Sequence, residues 1–282
     1  MNETRMKINA SRFFVDKKQI ETDKLFITGG DARHIKSVLR KVAGDRIIVC
    51  DGAGMDFNCE LTHIGKSEIR AGILNAYPSS GEPPVKVTLY QSLPKSDKME
   101  YVIQKCVEGG IYKIVPVISA FTQFSERLKD DSVGKRLARW RRISYEAAKQ
   151  SGRGIVPEIS DALSFSDAIN ACARNMCARN VCARATNVSP EIRQLALIPY
   201  ENEEKTTLKS ALKAFKLQDN FADMDLKFQI FIFIGPEGGF SLAEIDYCID
   251  NHVIPVSLGP RILKTESAGF AVLCQIIYEF GN

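Results

Sequence analysis

The 282-residue chain is long enough for two domains of ordinary size, and no apolar stretch approaches the roughly 20 residues that a membrane helix needs. The opening MNETRMKINASRFFV lacks the apolar core of a signal peptide, so the expectation is a cytoplasmic protein without membrane contact. The net charge of +4 is too mild to specify a polyanionic partner. Eight cysteines, none in Cys-x-x-Cys, read as reduced thiols, and three scattered histidines (34, 63 and 252) give a metal site no support.

The first 76 residues read as short strands. RFFV (12–15), KLFIT (24–28), RIIVC (46–50), FNCELTHI (57–64) and EIRAGIL (68–74) are β-like, with Asp51-Gly52 and Ile64-Gly65-Lys66 as turns. One helix interrupts them, from about residue 31 to 41, with Asp31 as its expected N-cap. The pattern predicts a small β-barrel. Residues 77–84 lie in YPSSGEPPVK, whose prolines, serines and glycine mark a linker.

From residue 85 to 282 the period changes, and strands alternate with helices. Strands are expected at 85–93, 112–119, 195–200, 228–234 and 253–258. Helices are expected at 97–108, 132–150, 207–215, 241–251 and 265–280. Such alternation implies an α/β fold, a parallel sheet with helices on both faces. The helix at 132–150 carries the basic block KRLARWRR (135–142), followed by Lys149 and Arg153. A solvated helix face and a phosphate-contacting face both remain open for it. CARNM-CARNV-CARAT (172–186) repeats every five residues, which spreads its cysteines around a helix axis. That argues against a metal cluster, and 172–194 reads as a surface insertion.

The strand FQIFIFI runs without charge into GPEGGF and then Ser241-x-x-Glu244, a capping box that opens a helix. A strand apolar on both faces belongs in the interior of a parallel sheet. Strand, glycine turn and helix start is the layout in which such sheets bind ligands at the carboxyl ends of their strands. Neither the P-loop nor the dinucleotide fingerprint is present at this turn. The turn is therefore either a plain reversal or a hydrogen-bonding cradle for an uncharged ligand edge, with Glu237 as its carboxylate. The next strand ends in a second such turn, LGPRILKTESA (258–268), on the same edge of the sheet.

Together GPEGGFS and LGPRILKTESA resemble the family of small-subunit (16S) rRNA uridine-N3 methyltransferases of the RsmE type, in the SPOUT superfamily. SRFFV, HIKSVLRKVAGD (34–45), MEYVIQKCVEGGIYKIVPV (99–117) and RWRRISYEAAKQSGRGIVPEI (139–159) extend the resemblance over nearly the whole chain. It departs from the family pattern at Gly109, Phe121, Lys264 and Ser267, and in the Cys-Ala-Arg repeat. The resemblance implies a PUA-like RNA-binding β-barrel followed by a SPOUT methyltransferase domain with a deep trefoil knot, and a homodimer. It implies S-adenosyl-L-methionine as cofactor, 16S rRNA within the small ribosomal subunit as partner, a target uridine near the decoding centre, and no metal.

Carried onto this chain, cofactor binding falls to Leu197, Pro199, Gly235, Glu237, Gly238, Leu258, Gly259, Ile262 and Leu263. N3 of uracil must lose a proton before it attacks a methyl group, and the anion that develops needs a cation or donors. Arg261 is the expected cation, with a plain salt bridge to Glu266 as the alternative. Glu266 and Glu237 are the carboxylates within reach of proton transfer, unless each is only a helix-start charge. Arg12, His34, Arg40 and Arg153 are the expected RNA contacts. The competing expectation is a non-catalytic RNA-binding or ribosome-assembly factor that keeps the fold.

Overall fold

The computed structural model describes residues 12–123, 132–185, 192–217 and 227–281. The chain forms two compact units. The first comprises residues 1–82 together with 148–156, and the second comprises 83–147 and 157–282.

In the first unit, β1 (Arg12–Phe14), β2 (Lys24–Thr28), β3 (Arg46–Cys50), β4 (Met55–Ile64) and β5 (Glu68–Pro78) form one sheet in the order β1-β3-β4-β5-β2. β1 joins β3 in parallel, and the other neighbours are antiparallel. Alternate side chains go inward, as the pleat requires. Phe13, Leu25, Ile27, Ile47, Val49, Leu61 and Ile69 make a core with Ala32 and Ile35 from the intervening helix.

That helix, α1 (Gly29–Arg33), starts earlier than its sequence suggests and continues as a π-turn over His34–Val38. Thr28, not Asp31, precedes it. The Asp31 carboxylate accepts a hydrogen bond from Lys149 instead of capping the helix. Tyr77 and Pro78, expected in the linker, complete β5, where they pair with Asp56 and Met55.

The segment 148–156 is held within the first unit by charge. The Arg153 side chain is only 3% exposed and makes two hydrogen bonds to Glu82, Nε at 2.9 Å and Nη2 at 2.6 Å. Glu82 also accepts from the backbone N–H groups of Gly154 and Ile155. A buried guanidinium requires such a partner, because the loss of hydration is otherwise uncompensated.

The second unit holds a parallel sheet in the order β12-β10-β11-β6-β7-β8. The strands are β6 (Val85–Ser92), β7 (Lys113–Ile118), β8 (Glu158–Ile159), β10 (Ile192–Pro199), β11 (Lys227–Ile234) and β12 (Ile254–Val256). The short β9 (Leu163–Ser164) also pairs with β7. β11 lies between β10 and β6. Both its faces are covered, which is why residues 230–234 read as an unbroken apolar run. Phe231 and Phe233 join the cluster beneath α4 (Phe165–Ala185) and α6 (Leu242–Asp250), and Phe233 stacks on Tyr90 with centroids 4.4 Å apart. On the other face lie α2 (Lys98–Glu108) and α7 (Thr265–Phe280), packed against each other. Phe280 and Phe215, from α7 and α5 (Leu208–Leu217), meet Phe228 there.

α3 (Ser132–Gln150) matches its expected span. The repeat expected as a surface insertion begins inside α4. Its first cysteine, Cys172, is fully buried in the core cluster, and Met176 packs against the same cluster. The apolar periodicity of FSDAINAC carries the helix inward up to that point. The side chains of the later repeats lie outside the described residues.

Candidate functional site

Because the strands of the second unit run parallel, their carboxyl ends share one edge. The turns after Ser92, Pro199, Ile234 and Val256 all open there. β10 sits between β11 and β12, so its end adjoins both glycine-bearing turns.

The turn after β11 closes through a hydrogen bond from the N–H of Gly239 to the carbonyl of Pro236, at 3.0 Å. Gly239 has φ +70°, a left-handed value that side chains disfavour. At Gly235 a Cβ would stand 3.2 Å from the carbonyl carbon of Gly239, a tight approach that favours glycine there as well. Phe121 lies against Gly238, and Glu201 lies against Gly239. Ser241 and Glu244 form the expected capping box of α6. The second Glu244 oxygen accepts from the N–H of Ala120 at 2.8 Å, which ties the end of β7 to the same edge.

Glu237 turns toward the β6–α2 connection. Its Oε1 accepts from Lys98 Nζ at 2.8 Å and from the Lys95 N–H at 3.2 Å. Lys98 Nζ also lies 3.5 Å from Glu266 Oε2. Partial burial pushes the Glu237 carboxyl up, but hydrogen bonds from Lys98 and from backbone N–H groups outweigh it and hold it below the usual carboxylate range. Hydrogen bonding to Glu237, and then its charge and that of Glu266, raise the Lys98 ammonium.

Two strand ends and the start of α7 are joined by one buried hydroxyl. Thr265 Oγ1 donates to the carbonyl of Gly235 at 2.5 Å and accepts from Gln91 Nε2 at 3.0 Å. The turn after β12 is also laced to the β10–α5 connection. Ser257 N–H donates to Thr206 at 2.8 Å, and Leu208 N–H donates to Ser257 at 3.0 Å. Gly259 follows at φ +100°, with open space where a Cβ would be. Arg261, Ile262 and Leu263 are exposed, Ile262 at 89%.

Of the residues singled out in the sequence, Pro199, Gly235, Glu237, Gly238, Leu258, Gly259, Arg261, Ile262, Leu263 and Glu266 lie along this edge. Leu197 is fully buried inside β10, between Ile232 and Ile254. Glu266 pairs with Lys98 rather than with Arg261.

In the first unit, His34 and Arg40 are exposed. Arg12 and Arg153, expected as surface side chains, are instead drawn inward by carboxylates. Arg12 binds Asp56 and Ser79, and Arg153 binds Glu82. In the basic helix, Arg139 pairs with Glu100 at 2.7 Å, and Arg141 donates to the Ile159 carbonyl at 3.1 Å.

The sequence reading passed over Gln91, Lys98 and Thr265. Gln91 stands near the end of β6 and is fully buried, a position that its sequence context, VKVTLYQS, does not mark.

This edge suits an amphiphilic cofactor with an aromatic base. Ile262 presents an exposed apolar side chain three residues after Gly259, where a Cβ would meet open space.

The family profile described as RNA methyltransferase domain matches residues 81–277, and the profile described as RNA methyltransferase PUA domain matches residues 27–74. Ribosomal RNA small subunit methyltransferase E of Bacillus subtilis strain 168 is 32% identical over 271 residues, covering 95% of this chain and 96% of its own. The protein of the same name from Synechocystis sp. is 30% identical, covering 95% and 78%. Among solved structures, ribosomal RNA small subunit methyltransferase E from Neisseria gonorrhoeae bound to S-adenosyl methionine is 27% identical. It superimposes with a TM-score of 0.72 over 97% of this chain and 99% of that one.

Proposed function

The chain belongs to the RNA methyltransferase family represented by ribosomal RNA small subunit methyltransferase E, and on that footing we propose that it methylates N3 of one specific uridine in 16S rRNA, near the decoding centre. It is an S-adenosyl-L-methionine-dependent rRNA methyltransferase. The observation that carries the finer reading is the shared edge itself. A glycine turn of minimal bulk and a second turn bearing Arg261 stand at the carboxyl ends of β11 and β12, on either side of the end of β10.

S-adenosyl-L-methionine supplies an electrophilic methyl group on a sulfonium. The residues we assign to hold it are Pro199, Gly235, Gly238, Leu258, Gly259, Ile262 and Leu263, largely through backbone groups and apolar cover. Leu197 supports them from inside the sheet. Glu237 orders the glycine turn by gripping Lys95 and Lys98. With two donors on one oxygen and a lowered pKa, it is a poor proton acceptor.

Arg261 faces the negative charge that spreads over uracil as N3–H ionises, because a planar guanidinium matches a planar delocalised anion. We assign the proton to Glu266, whose Oε2 lies 3.5 Å from Lys98 Nζ, a looser hold than the 2.8 Å contact on Glu237.

The first unit is the RNA-positioning part, with His34 and Arg40 toward the phosphates. Arg12 and Arg153 act there by bracing the unit from within. The resemblance further supports a trefoil-knotted SPOUT domain, a homodimer, a small-subunit substrate and a cytoplasmic site of action. Calorimetry with S-adenosyl-L-methionine, followed by methyl transfer to 16S rRNA in small subunits, tests the assignment. A protein that binds no S-adenosyl-L-methionine would instead be a non-catalytic RNA-binding factor.

A further inference from the structure

We propose that Thr265 and Gln91 are a positioning pair that sets the conformation of the glycine turn, and with it the affinity for S-adenosyl-L-methionine. The inference rests on the methyltransferase reading above.

Gln91 occupies the last rung of the β6–β11 ladder, opposite Ile234 and hence beside Gly235. It is fully buried, and Thr265 is 6% exposed. The two hydrogens of the Gln91 amide go to the Ser92 carbonyl at 3.1 Å and to Thr265 Oγ1 at 3.0 Å. Turning the amide over would set its oxygen against the Ser92 carbonyl oxygen, so the network fixes its orientation. The Gln91 N–H can only donate and the Gly235 carbonyl can only accept, so the hydroxyl of Thr265 accepts from the first and turns its proton to the second. It donates to the Gly235 carbonyl at 2.5 Å.

The direction of the relay is therefore unique, from amide to hydroxyl to carbonyl. One side chain thus joins the end of β6, the first residue of α7 and the glycine turn. Gln91 Oε1 is buried and accepts no hydrogen bond among the described residues. A cost of that kind is tolerated when the amide hydrogens are needed where they are. Pro236 follows Gly235 directly, so fixing this carbonyl fixes the plane of the peptide that leads into Glu237 and Gly238.

The test uses the full chain, with S-adenosyl-L-methionine as the calorimetric probe, and three variants: Thr265→Val, Thr265→Ser and Gln91→Leu. Thr265→Val keeps the shape and removes the hydroxyl. It should weaken cofactor binding about tenfold, the scale of one buried hydrogen bond. Turnover at saturating cofactor should fall by less. Thr265→Ser, which restores the hydroxyl, should recover the affinity. Gln91→Leu should weaken binding in the same direction.

Unchanged cofactor affinity in Thr265→Val, beside normal binding by the unaltered protein, would overturn the proposal alone. Equal losses in Thr265→Val and Thr265→Ser that follow a fall in melting temperature would overturn it too, by reducing the pair to a fold contact. Absence of binding by the unaltered protein would instead sink the methyltransferase reading, and the pair's role with it.

Discussion

Lys98 holds Glu237 at 2.8 Å across the sheet edge, and the same ammonium lies 3.5 Å from Glu266. The two carboxylates that the sequence offers for proton transfer therefore share one cation, but not on equal terms. Glu237 is gripped closely, with a backbone N–H added, whereas Glu266 is held loosely. On that inequality rests our assignment of Glu237 to ordering the turn and of Glu266 to the proton.

Glu237→Gln should therefore weaken S-adenosyl-L-methionine binding while leaving the shape of the pH–rate profile unchanged from about pH 6 to 9. The sign follows from the lowered carboxyl. A depressed folded-state pKa leaves Glu237 ionised throughout that range. Its contribution to stability is present above the unfolded pKa and is lost only as the pH falls through the folded one. An activity limb that disappears in Glu237→Gln would contradict the ordering role.

Glu266→Gln should behave differently. Loss of the proton acceptor should lower turnover by about a hundredfold, the lower range for general base catalysis, with cofactor affinity little changed. Single-turnover kinetics at saturating cofactor separates the two effects. Retention of full single-turnover rate by Glu266→Gln would pass the proton to another group.

Arg261→Ala should lower turnover by about a hundredfold or more, the scale for removing one donor to a developing anion. Arg261→Lys should recover only part of it, since an ammonium matches a delocalised planar anion poorly. Binding of S-adenosyl-L-methionine, measured separately, should stay within a few fold of the unaltered protein. Equal activity in Arg261→Ala would remove Arg261 from the chemistry.

Glu82→Gln should destabilise the first unit by about 3 kcal/mol, because it removes the negative charge that a buried guanidinium grips with two hydrogen bonds. Urea unfolding followed by circular dichroism reads this out. Arg153 is 3% exposed and the Glu82 side chain 17%, so screening by water is slight at the guanidinium. A change within about 0.5 kcal/mol, the range of ordinary surface substitutions, would show that the pair is dispensable.

The order of elements was legible in the sequence because packing follows periodicity. FQIFIFI proved to be an interior strand, and α3 and α7 run over their expected spans. Ser241 and Glu244 proved to be a capping box because both partners lie within one helical turn. What failed was long-range. Arg153 looks like surface from composition, and its burial depends on Glu82, 71 positions away. The inclusion of 148–156 in the first unit has no periodic mark. β8 and β9 are too short to register, and α4 was hidden behind a repeat that drew attention to its cysteines. At the site the two turns were visible as motifs. Gln91 and Lys98 come from other segments, and Thr265, although inside the second motif, meets the first turn only through the fold.

The central claim is tested most directly by mass spectrometry of 16S rRNA nucleosides from cells lacking this gene. N3-methyluridine should disappear from 16S rRNA, return on complementation with the unaltered gene and stay absent with Arg261→Ala. Undiminished N3-methyluridine in the deletion strain would contradict the account.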